Sequence, residues 1–154
     1  MAITAVDTIP HKIDELSSFS FSTVLTIPDG AGGERHPTLS EITALELTVY
    51  LEGGSDITAY TYGSPVANTW AQGSEVLKNI NIEDTGRGDY NEATGLLTVT
   101  LHAGDNPFLT AGAAVGATEI HVAYIAWRWN SNQDEAHKRV RFTVENLAKA
   151  PRIP

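Results

Sequence analysis

Apolar and polar residues alternate through Leu45, Leu47, Val49 and Leu51 against Glu46, Thr48 and Tyr50, and Gly53-Gly54 closes the run. Period two over such a length predicts a half-buried β-strand. From Phe19 to Ile27, Phe19, Phe21, Thr23, Leu25 and Ile27 share one face, and Pro28-Asp29-Gly30 supplies turn chemistry. Leu97, Val99 and Leu101 alternate with Thr98, Thr100 and His102 in a third strand. Weaker patterns predict strands over 57–62, 66–70 and 76–82. In the last of these, Val76, Lys78, Ile80 and Ile82 oppose Leu77, Asn79 and Asn81.

Ile120 to Trp129 reads differently. Ile120, Val122, Tyr124 and Ala126 form one face; His121, Ala123, Ile125, Trp127 and Trp129 form the other. Both are largely apolar, which predicts a central strand covered on two sides. Asn130 to Glu135 is a polar turn, and residues 138–145 return as an antiparallel partner. Helical signals are confined to single turns at 13–17 and 39–44, too short to stand alone. Residues 84–89 and 103–118 read as loops, and 90–95 as a turn. No internal repeat is visible.

Seven to eight short strands and no substantial helix predict an all-β fold, an immunoglobulin-like antiparallel β-sandwich. A jelly roll or small barrel uses the same ingredients. The domain spans 17–147, with irregular arms at 1–16 and 148–154. Scattered apolar residues in the arms (Ile3, Val6, Ile9 and Ile153) are candidate contacts to neighbouring subunits.

Length and composition narrow the picture. The chain has 154 residues, 42% hydrophobic and 19% charged, which suits one packed domain and excludes disorder or a coiled coil. Ten Lys and Arg against nineteen Asp and Glu give a net charge of −9. Phosphate backbones and anionic membranes repel such a surface, so neither nucleic acid nor membrane is an expected partner. The charge is uneven: residues 41–116 carry ten acidic and two basic groups, residues 117–154 four acidic and six basic. An acidic middle and a basic end can meet within the fold or between copies. Cysteine is absent, which removes disulfides, thiolate zinc sites and thiol catalysis. No secretion signal or membrane span is read, so synthesis in a cytoplasm is expected.

Candidate chemistry is sparse. His11, His36, His102, His121 and His137 follow no metal-binding spacing, and neither a nucleophile elbow nor a phosphate-binding loop occurs. His121 interrupts an apolar face and reads as a packed, hydrogen-bonded core histidine rather than a base. The acidic loop 83–92 offers oxygen ligands and glycines of a kind Ca²⁺ uses. It departs from the EF-hand pattern, and Arg87 places a cation in its middle. Its Arg87-Gly88-Asp89 tripeptide is read as a turn with solvated charges. No catalytic residue, cofactor or metal is expected. Tyr50, Tyr60, Tyr62 and Trp70 form a candidate interaction surface, since aromatic rings beside polar groups bind sugars or anchor protein interfaces.

Three segments carry a family likeness: Leu45 to Gly54 (LELTVYLEGG), Thr94 to Pro107 (TGLLTVTLHAGDNP) and Arg141 to Leu147 (RFTVENL). The second resembles a strand-then-turn unit of immunoglobulin-like modules in bacteriophage baseplates, and the third resembles their closing strand. The chain, cysteine-free and acidic with loose arms, resembles structural proteins of tailed bacteriophages, both capsid decoration proteins and tail or baseplate components. The likeness covers residues 80 to 150 and transfers no functional residue. It implies a non-enzymatic virion subunit that contacts copies of itself and neighbouring virion proteins. The alternative is a carbohydrate- or receptor-binding module with a glycan as partner.

Overall fold

The computed structural model describes residues 8–52 and 75–148. They form β1 (Thr8–Asp14), β2 (Phe19–Val24), β3 (Ile27–Pro28), β4 (Glu34–Arg35), β5 (Ala44–Leu51), β6 (Glu75–Asn81), β7 (Gly88–Asn91), β8 (Leu96–Leu101), β9 (Thr118–Trp129) and β10 (Asp134–Glu145). The fold is all-β and sandwich-like. A five-stranded sheet in the order β1-β10-β9-β5-β6 faces a three-stranded sheet in the order β2-β8-β7, and β3-β4 form a small hairpin.

The alternation of the sequence becomes the core. Phe21, Thr23, Leu25 and Ile27 point inward from one segment, and Leu97, Val99 and Leu101 from β8. They meet Leu45, Leu47 and Val49 of β5 and Ala123, Ile125 and Trp127 of β9. The rings of Phe19 and Phe142, 5.0 Å apart, tie the two sheets together. As expected, β9 is interior to its sheet, with β10 on one side and β5 on the other. Val122, Tyr124 and Ala126 on its second face are buried too.

Several boundaries differ from the sequence reading. Residues 8–14, expected in an irregular arm, form an edge strand that pairs in parallel with β10. Ile9, expected to reach a neighbour, lies in the chain's own core with Ile13. Thr8 pairs with Arg141 and Lys12 with Thr143, so this strand carries two extra residues around Pro10. That bulge breaks period two and hides the strand. In β6, Leu47 faces Ile80 while Val49 faces Leu77, so one extra residue brings Leu77 onto the core face with Ile80 and Ile82. Residues 88–91, expected in a loop and turn, pair with β8. The returning strand of the long hairpin begins at Asp134, not 138. Residues 15–16 and 39–41 form turns, and the only helical residues described are the 3-10 turn Ala103–Asp105. The strands expected over 57–62 and 66–70 lie outside the described residues.

Candidate functional site

Four carboxylates are buried among the described residues, Glu15, Glu46, Asp105 and Glu119, and three of them hold loops or chain segments in place. Asp105, with no exposed surface, receives Arg87 Nε at 2.6 Å and Nη2 at 2.9 Å, and the His102 amide at 2.8 Å. Both carboxylate oxygens are engaged, as a guanidinium fork permits. This corrects the reading of Arg87-Gly88-Asp89: the arginine is an internal tie, not a solvated charge. The next residue, Asn106, accepts the Leu16 amide and donates from Nδ2 to the Ser17 carbonyl, each at 2.7 Å. Glu15, also buried, accepts the Leu147 amide at 2.7 Å and so fastens the end of β1 to the segment that follows β10.

Glu119 opens β9 and accepts the amides of Leu109 and Thr110. Burial pushes its carboxyl upward in pKa, but the adjacent His121 and these amides outweigh burial and hold it below the usual range. His121 is fully buried, with its ring edge-on to Phe142 at 5.5 Å. The expected packing is present, but the expected hydrogen bonds are not. Neither ring nitrogen has such a bond among the described residues, and Nε2 lies 3.4 Å from Glu119 Oε2.

The open site lies at the other end of the sandwich. Trp127 and Trp129 leave β9 on the core face, and Trp127 Nε1 donates to the Thr26 carbonyl at 3.1 Å. Next comes the turn Asn130-Ser131-Asn132, all in the left-handed backbone region that asparagine tolerates best. Asp134 then pairs across from Trp129. The hairpin end and the β2–β4 segment border an open cleft of about 590 Å³. Trp127, Pro28 and the half-buried Trp129 line it. Glu34, Asp134 and Glu135 give it an acidic rim; His137 and Lys138 also border it, and Lys138 has a partner of its own.

The sequence singled out none of these cleft residues as a site. The only available signal was two tryptophans two residues apart just before a polar turn. Tyr50 is half-buried on the outer face of the five-stranded sheet, across from Val122. Tyr60, Tyr62 and Trp70, and the arm residues Ile3, Val6 and Ile153, lie outside the described residues. The structure instead shows Tyr124 stacked on His137 at 5.1 Å, with the Arg139 guanidinium 5.4 Å from the Tyr124 ring centre. In loop 83–92, Tyr90 donates to the Pro37 carbonyl and Glu92 accepts the Leu39 amide, each at 2.7 Å. Among the described residues no three His, Asp or Glu side chains converge to hold a metal ion. No described helix is long and apolar enough to cross a membrane. No protein-family model matches the chain, and no curated protein matches its sequence.

Proposed function

We propose that the chain is a non-enzymatic structural subunit of a bacteriophage particle, a capsid decoration or tail-baseplate component that works through protein-protein contacts. The observation that carries this reading is how the buried carboxylates are used. Asp105, Glu119 and Glu15 each grip a loop or a chain segment, which makes a rigid frame. A particle subunit needs such a frame to present fixed surfaces to many neighbours. The strand order is compatible with an immunoglobulin-like arrangement, in which one sheet has more strands than the other.

The test is solution mass by light scattering over a concentration series. The expected outcome is reversible growth into multiples of the 16.6 kDa chain. A monomer that persists unchanged at the highest attainable concentration counts against the reading. The cleft favours a second reading as a carbohydrate-binding module, since a half-buried tryptophan beside carboxylates suits a sugar ring.

A further inference from the structure

We propose that the Trp129 cleft is the socket for residues 149–154 of a second copy of this chain. This rests on the assembly reading above and gives it a specific contact. The segment reads Lys149-Ala150-Pro151-Arg152-Ile153-Pro154. Proline-rich segments dock on aromatic-lined grooves because their extended form costs little entropy to fix. Lys149 and Arg152 complement the rim of Glu34, Asp134 and Glu135, while Pro151 and Ile153 supply apolar surface for Trp129 and Pro28.

Geometry makes the contact intermolecular. The cleft lies at the Asp134 end of β10. The chain leaves from the opposite end, where Leu147 is fastened to Glu15 and the Glu15 amide to the Glu145 carbonyl. From Glu145 the strand runs about 24 Å to Lys138, the near border of the cleft, and about 37 Å to Asp134 at its rim. Residues 149–154, fully extended, span about 20 Å. A chain therefore cannot bring its own Arg152 to Asp134 from that anchor. Donation to a second copy is head-to-tail, which closes into rings or propagates as filaments.

Two measurements on the full-length chain test this. In the first, light scattering follows self-association of the wild type, Trp129→Ala, Asp134→Lys and Arg152→Glu. Each substitution is expected to weaken association about tenfold or more, the effect of losing a central aromatic or charged anchor. Combining Asp134→Lys with Arg152→Glu is expected to recover part of the loss. Asp134 is exposed, so its variants remain informative if Trp129→Ala fails to fold. In the second, a synthetic peptide of residues 148–154 is titrated while tryptophan emission is read. A saturable shift, absent in Asp134→Lys, is expected.

Self-association that is unchanged in every variant overturns the socket and leaves the assembly reading standing. A wild type that stays monomeric and ignores the peptide overturns both. A saturable response to neutral oligosaccharides, with none to the peptide, overturns the socket in favour of a sugar site.

Discussion

Asp105 shows what a single buried charge does in this fold. Its carboxylate has no contact with solvent, and its partner Arg87 is 12% exposed. Removing one member of such a pair strands the other in a poorly solvated place, whereas replacing both with apolar groups can be neutral. Asp105→Ala is therefore expected to cost about 3–5 kcal/mol in chemical denaturation. The double variant Arg87→Met with Asp105→Leu should recover much of that loss but not all. The His102 amide, which Asp105 also accepts, would still lack its partner. A double variant as unstable as Asp105→Ala alone would show that the fork's shape, rather than charge burial, sets the cost.

At the scale of elements, β1 decides how the sheet ends. It covers the edge of β10 with backbone hydrogen bonds and inserts Ile9 and Ile13 into the core. Ile13 is 4% exposed, so Ile13→Ala is expected to cost about 2–5 kcal/mol, the usual range for emptying a buried isoleucine site. Equilibrium urea unfolding checks this, and a loss below about 1 kcal/mol would mean that β1 docks only loosely. β5, β8 and β9 were legible in the sequence because alternation alone specifies their buried faces. β1 was not, because Pro10 and the bulge destroy its period and its partner lies far along the chain. Leu77 was assigned to the wrong face of β6 for a similar reason: a bulge changes phase without leaving a mark in composition. The cleft was hidden for a different one. Trp129 and Asp134 are sequence neighbours, but Pro28 and Glu34 reach them only once the two sheets stack.

The whole molecule responds to acid through carboxylates of two kinds. Hydrogen bonds from the Ala31 and Gly33 amides hold Asp29 below its ordinary pKa. The bonded Arg35 guanidinium, with help from Thr38, lowers Glu41 to about 2. Asp29 is exposed and Glu41 partly so, and Arg35 and Glu41 meet at 2.6 Å at the surface. Glu119 is the buried counterpart, also lowered, with His121 and the loop amides outweighing the cost of burial. A carboxyl whose folded pKa lies below its unfolded one adds stability that is complete above the unfolded value. That stability is lost as the pH falls through the folded value. Glu41 and Glu119 therefore make the fold weaken from about pH 4.5 downward and Asp29 from about pH 3.8, Glu41 continuing to do so until about pH 2. Salt separates the surface ion pair from the buried contact. At about 1 M ionic strength the screening length is about 3 Å, which mutes the exposed Arg35–Glu41 pair far more than the enclosed Glu119–His121 contact. The expected outcome is an acid limb, measured as unfolding free energy against pH, that becomes shallower in high salt without disappearing. Glu119→Gln keeps an oxygen for the Leu109 amide but cannot titrate, so it should flatten the limb that remains in salt. Equal slopes for wild type and Glu119→Gln under those conditions would show that the acid response belongs to the surface alone.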